Sequence, residues 1–474
     1  MTNGNAVDLA SRRTTAPRAT SPWPRYTEHT WLVFGPFLIF VMDRYMQWGV
    51  RRAIFRAIRS EFSLGLLLTV ACAGLLIVQR PDLGRAKMVI LMIVCLFVAI
   101  IIQVPFAADQ ASAQNIFVDR VAKFACLTFF MMVLIQSPHR LTFFLYAFLL
   151  SCFYITQESV RGLISGGLVW ENQGVMRLHG AVPIYRHPNS LAGLAMGAVT
   201  FVVFLLPVWR GWFLRCALLA LLATSIICVL YSGSRTGYVG FLAFLIYWFA
   251  VSRRKARWLT FGLILGSIGL VFTPQQYKDR FLSIGGPQAS GSKGGSGSRA
   301  TRIEIQEDAL AIFLENPAGI GVGSFPAVRM EKFGRFQDTH NLYLEVATNL
   351  GIQGLIVFLA LIGAILSSYR KAYRRFREQQ DSVDRALQTE SDDERRRVAL
   401  VGHRRDLDLL LAVCRAAGGF VLVRLVLGVF GMDLYEIYWW FAAGLALCLL
   451  NMIVPTSEAT LSLVPADTEG RLAP

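Results

Sequence analysis

The run AKMVILMIVCLFVAIIIQVPF, residues 86–106, decides the class of fold. Its single charge, Lys87, stands near the start, and the run is long enough to cross about 30 Å of hydrocarbon as a helix. Inside lipid the backbone must satisfy its own hydrogen bonds, so such a run is a helix. Comparable blocks recur near 29–48, 62–79, 120–136, 141–155, 188–208, 213–231, 235–251, 257–273, 342–367, 409–430 and 434–454. The pattern predicts an all-α polytopic integral membrane protein of about 12 transmembrane helices. It divides the chain into a disordered N-terminal segment, 1–28, a transmembrane domain, 29–454, and a disordered tail, 455–474.

Composition agrees. The 474 residues are 54% hydrophobic and only 16% charged, with a mean hydropathy of +0.49, whereas a soluble domain carries about a quarter charged residues. The net charge of +16 does not indicate nucleic acid, because the basic residues gather in short loops as cytoplasmic anchors do. With the N-terminus inside, the loops of Arg80 and Arg85, His139 and Arg140, Arg210 and Arg215, and Arg253 to Arg257 are expected in the cytoplasm, together with the charged, helix-forming stretch 368–408. Arg51, Arg52, Arg56 and Arg59 break the rule, so either RRAIFRAIRSEF is an amphipathic helix among the headgroups or the first crossing is placed wrongly. The eight cysteines all lie in apolar blocks and read as small hydrophobes, with no disulfide framework and no metal-ligand spacing. The first block lacks a small-residue cleavage site, so it is expected to be retained.

This orientation leaves two long outer segments, 156–187 and 274–341. The second holds a glycine- and serine-rich run, IGGPQASGSKGGSGSRAT, expected to be a mobile loop. A helical pattern follows, TRIEIQEDALAIFLENP, with Thr301 as the expected N-cap and Asn316-Pro317 as its stop.

Charge near hydrocarbon is expensive without a partner or a task, and it concentrates in four places. YSGSRTGYVG (231–240) puts Arg235 in a minimal turn between apolar helices, where it either snorkels to the interface or offers its guanidinium to a ligand. RLHGAVPIYRHPNSLAG (177–193) holds Arg177, His179, Arg186, His187 and Asn189 around the start of a helix. Its histidines have no acidic or cysteine partner at ligand spacing, so no metal site is expected. TRIEIQEDALAIFLENPAGIGVGSF (301–325) joins an arginine-bearing helix to Gly319, Gly321 and Gly323, without the strand or the Lys-Ser/Thr of a nucleotide loop. DTHNLYLEVATNLGIQG (338–354) sets His340 and Asn341 where the outer loop meets the next helix, and histidine is the usual proton-transfer group near neutral pH.

These stretches, in this order, resemble the O-antigen ligase and polymerase superfamily, bacterial enzymes that handle lipid-linked glycans. The resemblance covers roughly 170–367. It is carried by Arg302, Gln306, Leu310, Asn316-Pro317, Gly319, Gly321, Gly323, Phe325, His340, Asn341, Tyr343 and Leu344. Arg177, Gly180, Pro188, Asn189, Leu191 and Ala192, and then Ser232, Ser234, Arg235 and Gly237, carry it upstream. Gln306 stands where many relatives have Trp, so Arg299 and Arg302 both remain candidates for the loop arginine.

The resemblance implies a multi-pass enzyme of the bacterial inner membrane with its site facing the periplasm. The donor would be a glycan on undecaprenyl pyrophosphate and the acceptor a hydroxyl on lipid A–core or a similar molecule, with membrane lipids around it and neither nucleic acid nor a cofactor as partner. Transfer would be metal-independent and inverting. Arg235 and Arg302 would meet the pyrophosphate and His340 would act on the attacking hydroxyl. Arg177, Arg186, His187, Asn189, Arg299, Asn341 and Tyr343 are the substrate-binding candidates. Glu304, Glu307 and Asp308 are alternative bases, although pairing with nearby arginines is their plainer role. A repeat-unit polymerase uses the same constellation, and a transporter or flippase is the reading from another class.

Overall fold

The computed structural model describes residues 30–79, 84–172, 175–252, 274–282, 295–389 and 393–454. In chain order its principal elements are α1 (Trp31–Met46), α2 (Ser60–Gln79), α3 (Lys87–Gln103), α4 (Lys123–Leu134), α5 (Pro138–Ser165), β1 (Val169–Asn172), β2 (Val175–Leu178), α6 (Pro188–Leu205), α7 (Trp212–Tyr231), α8 (Arg235–Val251), α9 (Gly295–Glu315), α10 (Phe325–Phe333), α11 (Leu342–Thr389), α12 (Glu394–Gly428) and α13 (Ile437–Asn451). Among the described residues seven helices are long and apolar enough to cross a membrane, and α8 and α13 are shorter apolar helices. The expected all-α multi-pass architecture is therefore observed. Helices stand at eleven of the twelve expected spans; the twelfth, 257–273, lies outside the described residues, as do the expected disordered segments 1–28 and 455–474. At 120–136, α4 continues from a helix at Gln110–Ile116 through a π-helical turn at Phe117–Ala122.

Burial separates inner from outer helices. Every residue of α13 from Ile437 to Leu450 is buried, and almost all of α6 is. α12 packs against α6 through Phe420 and Arg424, which a Cβ on Gly193 or Gly197 would crowd at 3.0–3.1 Å. By contrast α2 and α3 expose Leu66, Leu67, Val70, Leu91, Val94 and Val98. So large an apolar face suits lipid and not water. A 15-residue helix such as α13 rises only about 22 Å, and its burial inside protein removes any need to match the bilayer.

Three expectations require correction. Residues 156–165 are not a polar excursion but the end of the 28-residue α5. After it, β1 and β2 form an antiparallel hairpin pairing Trp170 with Arg177; four-residue strands are too short for alternation to show in a sequence. Thr301 is not an N-cap, because α9 already begins at Gly295. Glycine and serine each cost a helix about 1 kcal/mol or less, too little to stop its extension, so part of the glycine- and serine-rich run is helical and residues 284–294 of it lie outside the described residues. Residues 51–62 are not one amphipathic helix: they hold the end of a short helix, Trp48–Arg51, a second short helix, Ala53–Ala57, and the first residues of α2, with a break at Arg52. The helical reading of 368–408 holds, in α11 and α12.

Candidate functional site

The site is assembled where the N-termini of α6, α8 and α11 meet α9. Ser234 starts α8 by accepting from the Gly237 amide at 3.0 Å, which makes Arg235 its first residue. Gly237 lets α8 close on α6, since a Cβ there would lie 3.0 Å from that of Ala192. At the start of α6, His187 Nδ1 accepts from the Asn189 amide at 3.2 Å; its proton is therefore on Nε2. Arg177, 3% exposed, ties these pieces together. Its Nε donates to the Ser232 carbonyl at 2.8 Å and one terminal nitrogen donates to Asn189 Oδ1 at 2.9 Å. The two upstream stretches, 177–193 and 231–240, are thus interlocked.

The glycine motif is a clasp and not a ligand cradle. α11 breaks at Gly351 (φ 71°, ψ −173°), which strands the carbonyls of the preceding turn. Thr348 and Asn349 then accept from the amides of Ile320 and Gly321 at 2.9 and 3.2 Å, and the Ile352 amide donates to Pro317 at 2.9 Å. Gln103 and Gln353 both donate to the Ala318 carbonyl at 2.6 Å. A Cβ on Gly321 would sit 2.5 Å from the Ala107 backbone, so the chain passes where only glycine fits. The clasp fixes the end of α9 to the start of α11, and with them the Arg302 and His340 backbones.

His340 itself has φ 46°, a left-handed conformation uncommon outside glycine and held only by its surroundings. Asn341 caps α11, its Oδ1 accepting from Tyr343 and Leu344 amides at 3.0 and 3.2 Å. The Tyr343 hydroxyl donates to the Leu425 carbonyl at 3.1 Å.

The electrostatics separate structural arginines from uncommitted ones. Asp308 receives Arg329 Nε at 2.9 Å, while Arg335 pairs with Glu304 and approaches Asp308 at 3.5 Å. Of the three acids named as alternative bases, Glu304 and Asp308 are paired with arginines, whereas Glu307 is exposed and forms no ion pair among the described residues. Arg302 and Arg235 have no carboxylate partner among the described residues, and Arg235 Nε is buried without a hydrogen-bond partner there. Burial holds the Arg302 guanidinium below its ordinary range, and the neighbouring Arg235 charge pushes the same way. Burial likewise lowers His340, helped by Arg302 and Arg329. His187, although exposed on one side, falls to about 4, first from desolvation by the protein packed around it and then from Arg177, His340 and Arg302. Residues from four separate stretches thus lie close enough to perturb one another.

Of the remaining candidates, Arg186 is exposed at the edge and His179 packs on Trp170 with ring centroids 4.8 Å apart. The Arg299 side chain lies outside the described residues. Arg177, Asn189, Asn341 and Tyr343 are engaged in holding the scaffold. Sequence reasoning missed two arginines. Fully buried Arg329 sits in no recognisable motif. Arg424 interrupts an apolar block, a signal that was legible. It donates to the Gly193 carbonyl at 2.7 Å, approaches Asp433 at 3.5 Å and lies over the Tyr438 ring, pinning the first turns of α6.

The fold is that of a multi-pass membrane protein, and arginine and histidine side chains gather where its helix ends converge. Residues 219–359 match the model of a family described as O-Antigen ligase, a segment that includes Arg235, Arg302, the glycine clasp and His340. The chain is thus similar to the O-antigen ligase superfamily, a similarity that supports a ligase- or polymerase-like membrane enzyme. No curated protein matches the chain.

Proposed function

We propose that this protein transfers a glycan from a polyprenyl pyrophosphate, undecaprenyl pyrophosphate in bacteria, to an acceptor hydroxyl such as one on lipid A–core at the periplasmic face. The observation that carries this reading is the pair Arg235 and Arg302, half-buried neighbours without a carboxylate among the described residues. Two like charges in a partly dehydrated crevice are costly alone and favourable around an anion. A diphosphate suits them, because guanidinium forks match phosphate oxygens.

In the transfer, the acceptor oxygen attacks the anomeric carbon as the bond from that carbon to the diphosphate oxygen breaks. The diphosphate leaves with the electron pair, and the configuration inverts. Negative charge growing on the leaving group is stabilised by the two guanidiniums. His340, held neutral by burial and by Arg302 and Arg329, accepts the hydroxyl proton or orients it. The bound diphosphate also offsets the arginine charges that depress His340, which raises its basicity when the donor is in place. No step requires a metal ion or a cofactor.

Purified protein in proteoliposomes with a lipid-linked glycan tests the reading. Glycan appearing on lipid A–core supports a ligase, and a lengthening chain on the polyprenyl carrier supports a polymerase. Full transfer by well-folded His340→Ala and Arg302→Ala proteins would remove the enzymatic reading.

A further inference from the structure

A cavity lies far along α11 from His340. Its volume is about 1040 Å³, between the end of α8, the middle of α11 and the middle of α12. One part is apolar, lined by Gly363, Leu366, Leu422 and Leu425; the other is basic, lined by Arg370, Lys371, Arg374 and Arg415. From Ile352 to Lys371 the helix rises about 28 Å, close to the thickness of the hydrocarbon layer. The basic part of the cavity therefore sits at the opposite end of the spanning segment from His340, while its apolar part runs along α12 to Leu425, whose carbonyl accepts from Tyr343.

The cations are of two kinds. Arg415 is fastened: it donates to the Tyr373 hydroxyl at 2.5 Å and lies over that ring, and its own carbonyl accepts from Tyr247 at 2.9 Å. Its Nε is buried without a hydrogen-bond partner among the described residues. Arg370, Lys371 and Arg374 are exposed and form no ion pair among the described residues, whereas Arg375 beside them pairs with Glu378 at 3.0 Å. Unpaired cations at the mouth of an apolar slot, at a membrane boundary, complement a molecule with an anionic head and a hydrocarbon tail. A free anion would leave the apolar part empty, and a neutral lipid would leave the charges unmatched.

We infer that this groove binds an anionic glycerophospholipid of the surrounding bilayer, its phosphate against Arg370, Lys371, Arg374 and Arg415 and an acyl chain along Gly363, Leu366, Leu422 and Leu425. Basic pockets between membrane helices are suited to such headgroups.

Delipidated full-length protein in detergent is titrated with phosphatidylglycerol, with phosphatidylcholine of the same chains and with inorganic phosphate, and bound lipid is counted by native mass spectrometry. Phosphatidylglycerol is expected to be retained in preference to the other two. Arg370→Gln with Arg374→Gln is expected to lower that retention by more than about tenfold, from roughly fivefold per cation, and Lys at both positions to restore most of it. Gly363→Leu fills the slot without touching a charge, and a Cβ there meets nothing within 4 Å; it is expected to abolish retention in a protein as stable as the parent without lipid. Equal retention of phosphatidylcholine, an effect of inorganic phosphate alone, or undiminished retention in either the glutamine or the leucine variant overturns the inference.

Discussion

Gly351→Ala should be among the most damaging single-methyl changes in the chain. The backbone there, φ 71° and ψ −173°, belongs to a region that is essentially glycine-only, at about 1–3 kcal/mol for other residues. The added carbon would lie 2.4 and 2.5 Å from the carbonyl carbon and oxygen of Ala318. Those are backbone atoms, so relief requires the clasp to move. Three backbone hydrogen bonds between Pro317–Gly321 and Thr348–Ile352 then weaken, at about 1 kcal/mol each when lost. With partial loss, the expected destabilisation is about 3–5 kcal/mol, a large share of a typical 5–15 kcal/mol. Thermal unfolding of purified protein in detergent measures it, with Gly74→Ala as the control. Gly74 is a helical glycine whose added Cβ meets nothing within 4 Å, and alanine there should be neutral or stabilising by up to about 1 kcal/mol. Equal midpoints for the two variants would refute the clasp as a tension-bearing element.

Other perturbations separate charge from scaffold. Asp308→Asn leaves fully buried Arg329 without its counter-ion and should cost about 3–5 kcal/mol, measured by the same unfolding assay. Arg302→Gln and Arg235→Gln should each lower turnover about 10²–10³-fold with little change in midpoint; unchanged turnover in a transfer assay would remove the diphosphate role. Because Arg302 helps depress His340, Arg302→Gln should also move the acid limb of the pH–rate profile to higher pH. For His187, the unfolded imidazole takes up its proton near pH 6.5 and the folded one only near 4, so stability should fall as pH drops through that window and be flat above it. His187→Gln should remove that contribution, readable as a shallower loss of midpoint between pH 6.5 and 4.

Properties that depend on local composition are legible along the chain before it folds. Apolar blocks of bilayer length, such as 86–106, compel helices wherever their backbone has no water to bond to. Some of the expensive charges are legible as well: Arg235 stands between two apolar blocks and His340 where an outer loop meets a helix. Arg302, with Glu304, Glu307 and Asp308 close by in the chain, is singled out by the resemblance. Tertiary structure alone decided which charges are occupied. Arg177 and Arg302 look alike in the sequence, yet Arg177 is held by Ser232 and Asn189, whereas Glu304 and Asp308 of α9 pair with Arg329 and Arg335 and Arg302 is left uncommitted. The glycines of 319–323 show the same divide. Their spacing is visible, but their task depends on a helix break at Gly351 and on Ala107, which reach them only after folding. Pairing and close approach are relations between distant residues, and a one-dimensional pattern holds no distances between them.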